Sequence, residues 1–142
     1  MASTNVALDT HFTPQEAWER ASDLSRYGDW LLLHDGWRGE LPEQLGPGTT
    51  ATSVISVKGM RNRIEWTVEE YDEPRRVALS GRGVGGTKIT LALEIAPAGA
   101  GSRVELDVDF SGPLVAGPVG FGVSRALKGD LRKSLEKFDA MA

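Results

Sequence analysis

Cysteine is absent from this 142-residue sequence, and histidine occurs only twice, at positions 11 and 34. Without cysteine the chain can form no disulfide, no thiolate-ligated zinc or iron–sulfur site and no thiol nucleophile. Neither histidine has an Asp or Glu at the spacing that places two metal ligands on one face of a helix. The sequence therefore predicts no metal site and no cofactor.

Basic residues and long apolar runs are also scarce. Sixteen Lys and Arg against twenty Asp and Glu give a formal net charge of −4. This balance disfavours a nucleic-acid binder, because such a protein needs a surplus of Lys and Arg to face the phosphates. No apolar run approaches the roughly 20 residues that span a bilayer. The first residues show neither the basic nor the apolar region of a signal peptide. We therefore expect a cytoplasmic protein with no nucleic-acid partner and no stable membrane insertion.

The length and the absence of a linker predict a single domain over residues 1–142. Its first element is a predicted strand, because apolar residues alternate from Asn5 to Phe12. Val6, Leu8 and Phe12 lie on one side of this strand. That side is expected to face the core.

Two short helices are predicted after this strand. Thr13 can cap the first free amides, Pro14 suits the first turn, and Glu16 can complete a capping box. A second helix is predicted from Asp23 to about Leu32, and Gly36 interrupts regular structure beyond it. The next strand is expected to begin at residue 49.

From residue 49 the sequence is rich in β-forming residues. Turn-forming segments separate five runs, and connections this short favour antiparallel neighbours. The runs are Thr49–Lys58, Asn62–Tyr71, Arg76–Arg82, Thr87–Ala96 and Ser102–Ser111. In the last two runs apolar and polar residues alternate, so one face of the sheet is predicted to be apolar and the other wet. The inward face of the first run is ambiguous, since Val54 or the pair Ile55 and Val57 could point in.

The spacing of apolar residues becomes helical near the end of the chain. Between Val119 and Phe138 they recur in steps of four, four, four and three, which predicts an amphipathic helix of about five turns. Its apolar stripe consists of Val123, Leu127, Leu131, Leu135 and Phe138. The stripe can be buried only against the apolar face of the sheet. The predicted fold class is α+β, with a curved antiparallel sheet wrapped around this helix, an architecture that commonly leaves an apolar cavity.

The chain resembles the START-like superfamily, also described as SRPBCC, polyketide cyclase/dehydrase or helix-grip proteins. The resemblance is carried by TPQEAW at residues 13–18, DLSRYGDW at 23–30, GPG at 46–48 and the terminal amphipathic helix. It implies the helix-grip fold, with six to seven strands around the helix and two short helices after strand 1. It also implies a small-molecule cavity. It specifies no reaction, because members include lipid carriers, hormone receptors, aromatase/cyclases and chaperone regulators.

A narrower resemblance is carried by WLLLHDGWRGELP at residues 30–42. This segment is similar to an actinobacterial subgroup described as the toxin of a type II toxin–antitoxin pair. The resemblance implies an antitoxin partner. The sequence has no His/Glu/Arg constellation suited to RNA cleavage, so any toxicity would have to act through capture of a ligand or partner.

Three further motifs have simpler interpretations. GRGVGG at residues 81–86 has the letters of a dinucleotide-binding loop but precedes a strand rather than a helix, so it is read as a hairpin. Ser124 lacks the preceding strand of a nucleophile elbow and is read as a helix residue. Glu105, Asp107 and Asp109 are read as the solvated face of a strand.

His34 is the candidate acid or base. Its neighbours Trp30 and Trp37 are large and apolar, so its imidazole could sit at a hydrophobic rim beside Asp35 and exchange protons with a ligand. A loop histidine bonded to backbone is the alternative. Arg38 could neutralise an acidic ligand head or be an ordinary surface charge. The tryptophans could form a cavity wall or pack a solid core.

We predict a protein that binds a hydrophobic or aromatic small molecule, lipid- or polyketide-like, as a carrier or sensor. The alternatives are a polyketide cyclase or dehydratase that uses His34 in proton transfer, and the toxin of a toxin–antitoxin pair. A homodimer is left open. The predicted ligand contacts are Trp30, His34, Trp37, Arg38, Ile64, Trp66, Val68, Val77, Leu79, Ile89, Leu91, Leu106, Val108, Phe110, Val123, Leu127 and Leu131.

Overall fold

One antiparallel sheet dominates the computed structural model, which describes residues 2–39, 46–57, 60–112 and 118–141. Its strands are β1 (Ala2–Thr10), β2 (His34–Arg38), β3 (Thr50–Val57), β4 (Met60–Asp72), β5 (Arg76–Arg82), β6 (Lys88–Ala98) and β7 (Gly101–Ser111). The described helices are α1 (Pro14–Ala21), α2 (Tyr27–Trp30) and α3 (Pro118–Asp139). A single turn of 3₁₀ helix covers Leu24–Arg26, and Val84–Gly86 forms a turn in which Gly85 and Gly86 have positive φ.

The order of strands across the sheet is β1-β7-β6-β5-β4-β3-β2, with every neighbouring pair antiparallel. Strands β2 to β7 form a meander in chain order, as the short connections predicted. Strand β1 joins the far edge, where Ala2 is opposite Phe110 and Thr10 is opposite Ser102. The sheet curves as a half-barrel around α3, which confirms the predicted helix-grip fold.

The start of α1 follows from its sequence. The side chain of Thr13 accepts a hydrogen bond from the backbone N–H of Glu16 at 3.2 Å, and the Glu16 carboxylate accepts one from the N–H of Thr13 at 3.0 Å. Both halves of the predicted capping box are therefore present, with Pro14 at the first helical position. The buried side of the helix carries Ala17 and Trp18.

Helix α3 buries the whole predicted stripe. Its buried members are Val123, Leu127, Leu131, Leu135 and Phe138. The ring of Phe138 meets Phe12 edge-on at 5.9 Å and Trp30 at 5.2 Å between centroids. Beyond the stripe, Asp139 accepts a hydrogen bond from the hydroxyl of Thr10 at 2.6 Å, which ties the end of α3 to the end of β1. The Gly/Pro-rich stretch at 113–117 lies outside the described residues.

The region between α1 and β3 differs from its prediction. Instead of one helix from Asp23 to Leu32, the chain forms a 3₁₀ turn and the single turn α2. The strand β2 was not predicted, and the interpretation of the segment around Gly36 as irregular was wrong. Gly36 has a φ of +126° and sits at an irregularity in β2. Because that irregularity breaks the alternation of apolar and polar residues, the sequence carries no strand signal there.

The faces of β3 are resolved by its pairing. Ser53 and Ile55 face the core, and Ser53 is opposite Ile64 on β4. Val54 lies on the outer face opposite Arg63 and is nevertheless buried. Of the two alternatives, Val54 or the pair Ile55 and Val57, Ile55 is therefore the one found to face inward. The side chain of Val57 lies outside the described part of the chain.

A candidate ligand pocket walled by tryptophans

Two adjoining apolar pockets lie between the β2–β6 part of the sheet and the segment around α2. The first is lined by Tyr27, Leu31, Leu33, His34, Trp37, Ser53, Ile55, Trp66, Leu79 and Leu91. The second shares three of these residues and is lined by Leu24, Trp37, Thr49, Thr50, Ala51, Trp66, Val68 and Leu79. Each has a volume of about 10 Å³, about what one water molecule needs. We call the two together the tryptophan pocket, because Trp37 and Trp66 line both.

The irregularity in β2 places His34 and Trp37 on the same side of the sheet. His34 is opposite Ile55 and Trp37 is opposite Ser53, so three steps along β2 match two steps along β3. In a regular strand two residues three positions apart face opposite sides. The extra residue of this β-bulge brings both rings to the pocket.

An aromatic cluster closes this end of the pocket. The ring centroid of Trp37 lies 4.7 Å from that of His34 and 5.7 Å from that of Tyr27. The indole N–H of Trp37 donates to the carbonyl oxygen of Leu24 at 2.7 Å, which fixes the ring. Burial raises the pKa of Tyr27, so its phenol is neutral at physiological pH.

The other tryptophan is held by a serine and a glycine. The indole N–H of Trp66 donates to the hydroxyl oxygen of Ser53 at 2.8 Å, and Ser53 is only 1% exposed. On the neighbouring strand, a Cβ at Gly81 would lie 2.5 Å from Ile64 and 3.0 Å from the Trp66 ring. Only glycine at position 81 leaves these two side chains their present places.

His34 is partly buried at the rim of the pocket. Its burial lowers the pKa of its imidazole, and the nearby charge of Asp35 opposes this to a smaller degree. Asp35 is engaged elsewhere, because its carboxylate lies 2.6 Å from the guanidinium of Arg61. The backbone N–H of His34 donates to the carbonyl of Leu31 at 3.0 Å. Among the described residues the imidazole nitrogens have no hydrogen-bond partner, so they are available to a ligand.

The segment from Tyr27 to His34, which we call the pocket flap, provides one wall of the pocket. A hydrogen bond ties it to α3: the N–H of Leu32 donates to the hydroxyl oxygen of Ser134 at 2.9 Å. The same hydroxyl donates to the carbonyl of Asp130 at 2.7 Å. The side chain of Leu32 is 38% exposed, so the flap presents an apolar residue to solvent next to the pocket.

The structure distributes the predicted ligand contacts among three locations. Those that line the tryptophan pocket are His34, Trp37, Trp66, Val68, Leu79 and Leu91. Those that are buried in the core without lining either pocket are Trp30, Ile64, Val77, Ile89, Leu106, Val108, Phe110, Val123, Leu127 and Leu131. Arg38 is exposed and lies opposite Thr52, one step along β2 from the inward Trp37, so it faces away from the pocket.

Sequence reasoning missed several of the residues that line the pocket. Tyr27 and Leu24 were assigned only to a helix, although they lie within the DLSRYGDW segment that carries the family resemblance. Ser53 lies in the first β run, whose inward face the sequence left ambiguous. Its alternation with Ile55 is the signal that could have identified it.

The residues that the structure describes hold neither a metal-binding cluster nor a membrane-spanning helix. Among them no three His, Asp or Glu side chains are grouped so as to hold a metal ion. No helix in the described ranges combines the length and the apolar character needed to cross a membrane.

The sequence over residues 1–142 matches the family described as "Polyketide cyclase / dehydrase and lipid transport". Among curated proteins, "Toxin Rv0910" of Mycobacterium tuberculosis strain H37Rv is 46% identical over 138 residues, covering 97% of this chain and 96% of that protein. "Uncharacterized protein Rv1546" of the same strain is 44% identical over the same shares of the two chains.

Solved structures have the same fold at much lower identity. The protein TTHA0849 from Thermus thermophilus aligns with a TM-score of 0.79 and 18% identity, covering 97% of this chain and 94% of that chain. Protein CV1439 from Chromobacterium violaceum aligns with a TM-score of 0.72 and 13% identity, covering 99% and 97%. The fold, the whole-length family match and the close curated relatives agree: the chain belongs to the polyketide cyclase/dehydrase and lipid transport family, with the START-like helix-grip fold.

Proposed function

We propose that this protein binds a hydrophobic or aromatic small molecule in the tryptophan pocket and acts as a carrier or sensor. The observation that carries the proposal is the pair of adjoining pockets with apolar and aromatic walls. Pockets of this kind, with few polar groups, are the usual sites for small organic ligands. The family description, which includes lipid transport, supports the same conclusion.

Ligand entry requires the pocket walls to move apart, because each pocket now has space for about one water molecule. The pocket flap is the wall suited to move. Its helical part is the single turn α2, whereas most of the other lining residues lie on strands paired within the sheet. In this proposal the ligand selects an open form in which the flap has moved outward.

Titration with N-phenyl-1-naphthylamine, an uncharged fluorescent probe, tests the proposal. We expect saturable binding in the low micromolar range with quenching of tryptophan emission, because Trp37 and Trp66 line the pocket. Ala51→Leu, which fills space in the second pocket, should weaken binding by about tenfold, or 1.4 kcal/mol. Ala78→Leu is the matched control, because Ala78 pairs with Glu70 and Ala92 on the outer face.

Absence of a saturable signal in the native protein would contradict the proposal, as would equal binding by both alanine variants. If the probe binds as expected, native mass spectrometry of the protein purified from its own cells would identify the natural ligand as a co-purified mass.

An enzymatic function of the cyclase or dehydratase type is a second candidate, favoured by one observation. The imidazole of His34 lines the pocket with both nitrogens free of partners among the described residues, and burial keeps it neutral near pH 7, the form that can accept a proton. If turnover of a polyketide-like substrate is found, His34→Ala should abolish it while ligand affinity stays within about tenfold. Full activity in that variant would exclude His34 as the acid or base.

A toxin function is a third candidate, favoured by the relative named "Toxin" at 46% identity. In this proposal the protein captures a ligand or partner that growth requires, and an antitoxin opposes it. Induced expression in an actinobacterial host should arrest growth, and coexpression of a small neighbouring reading frame should restore it. Normal growth under strong induction would contradict the toxin proposal and leave ligand binding unaffected.

A further inference from the structure

The tryptophan pocket contains a buried hydroxyl whose donor proton is unused among the described residues. The oxygen of Ser53 accepts from the indole of Trp66 at 2.8 Å, and the hydroxyl proton has no acceptor among the described residues. Ser53 is 1% exposed and lines the first pocket. A buried donor without a partner is costly, so this proton offers a favourable site to an acceptor atom of a ligand.

The imidazole of His34 is the second polar group with free capacity in the same pocket. His34 lies on β2 three residues from Trp37, which pairs with Ser53, and His34 itself pairs with Ile55, two residues from Ser53 along β3. A neutral imidazole has one N–H donor and one acceptor nitrogen. Ser53 and His34 therefore offer donors from neighbouring strands to one small ligand.

Charged side chains are missing from the described lining of both pockets, which contains neither Lys or Arg nor Asp or Glu. Two basic residues of β2 and β4 are directed elsewhere, since Arg61 pairs with Asp35 and Arg38 is exposed on the outer face. A carboxylate ligand would lose its hydration and would meet no Lys or Arg in this lining, while burial disfavours the protonated form of His34 that could pair with it. A neutral oxygen would lose less and would gain the hydrogen bond from Ser53.

We propose that the tryptophan pocket selects neutral aromatic ligands that carry a carbonyl oxygen, with Ser53 as the donor to that oxygen and His34 as the second polar contact, and that it rejects the corresponding carboxylates. This inference rests on the proposed ligand-binding function. It distinguishes ketone- or ester-bearing aromatic compounds from fatty acids and other anionic lipids.

Three naphthalene compounds of similar size test the selectivity by displacing bound N-phenyl-1-naphthylamine. They are 2-acetylnaphthalene, which has the carbonyl; 2-ethylnaphthalene, which has the same shape without oxygen; and 2-naphthoate, which is anionic. We expect the ketone to bind about tenfold more tightly than either of the other two. Tighter or equal binding of 2-naphthoate, or equal binding of the ketone and 2-ethylnaphthalene, would overturn the inference.

Two variants test whether Ser53 and His34 cause the preference for the ketone. Ser53→Ala should remove the preference for the ketone over 2-ethylnaphthalene, while affinity for 2-ethylnaphthalene stays within about threefold. Because this change also leaves the Trp66 indole without its acceptor, His34→Leu provides a second variant that does not disturb that bond, and it should reduce the same preference. Ser80→Ala is the matched control, since Ser80 lies on the outer face and bonds to Glu69. Undiminished ketone preference in both variants would overturn the assignment.

The two proposals fail in different ways. If the fluorescent probe itself does not bind, the ligand-binding function is wrong, and the selectivity is wrong with it. If the probe binds and 2-naphthoate displaces it as well as the ketone does, only the selectivity is wrong.

Discussion

At the scale of single residues, the pocket depends on a few positions where a polar group or a missing side chain meets an apolar wall. Ser53 supports the indole of Trp66, and Gly81 leaves space for the same ring. Neither role could be predicted from local sequence, because each depends on a residue of a neighbouring strand. The capping role of Thr13 could be predicted, since all its partners lie within three positions.

The first prediction concerns the pH dependence contributed by His34. Burial lowers the pKa of this imidazole in the folded state, whereas in the unfolded chain it is close to about 6.5. When the pH falls below that value, the unfolded chain binds a proton that the folded protein resists. The contribution of neutral His34 to the free energy of unfolding is therefore fully present above about pH 6.5. It is lost as the pH falls through the lower pKa of the folded state.

Urea denaturation of the native protein and of His34→Gln between pH 7.5 and pH 5 measures this contribution. The native protein should lose more stability over that range than the variant. The range stops above the pH at which Glu16 and Asp139, whose pKa values are also lowered, become protonated. Parallel stability curves for the two proteins would contradict the prediction.

The second prediction compares one substitution at two glycines. Gly81→Ala should destabilise the protein by about 1–3 kcal/mol, because the new Cβ collides with two buried isoleucines and the Trp66 ring. Gly129→Ala is the control on α3, where nothing lies within 4 Å of the added carbon. It should stabilise the protein by about 0.4–1 kcal/mol. Urea denaturation gives the free energy of unfolding of each variant. A change of the same sign at both positions would refute the steric explanation.

At the scale of elements, predictability followed the range of the interactions that define each element. The stripe of α3 and the capping box of α1 are local patterns, and both agree with the structure. The strand β2 is defined by its pairing with β3 and by a bulge at Gly36, so five residues of sequence could not reveal it. The joint contribution of His34 and Trp37 to the pocket was unpredictable for the same reason, although each residue was proposed separately.

The third prediction concerns the tether between α3 and the pocket flap. Ser134→Ala removes the acceptor for the N–H of Leu32 and should destabilise the protein by about 1 kcal/mol. Hydrogen exchange at the Leu32 amide should become faster, because the flap then opens more often. Association of N-phenyl-1-naphthylamine should also become faster.

Lys133→Ala is the control for this experiment, since Lys133 is exposed on the same helix. It should leave both the exchange rate and the association rate unchanged. An unchanged exchange rate at Leu32 in Ser134→Ala would show that the hydroxyl does not restrain the flap.

At the scale of the whole molecule, the sequence pattern was sufficient for the architecture but not for the pocket. Alternation in β6 and β7 and helical spacing in α3 define two apolar surfaces that can be buried only against each other. The same pattern predicts residues such as Leu106 and Leu127 as inward, and both are buried. It cannot tell which inward residues line a pocket, because that depends on how tightly side chains from distant strands fit together.

The pairing of β1 with β7 also determines when the fold can be completed during protein synthesis. Val6 lies opposite Leu106, so the first strand of the sheet to leave the ribosome pairs with one made a hundred positions later. At an elongation rate of about 5–20 residues per second, that delay is about 5–20 s. The hairpins from β2 to β6 can pair as they emerge, because each partner follows at once. The apolar side of β1 must therefore be kept from aggregating until β7 has emerged. Helix α3 is made after every strand and then covers the core side of β1 and β7.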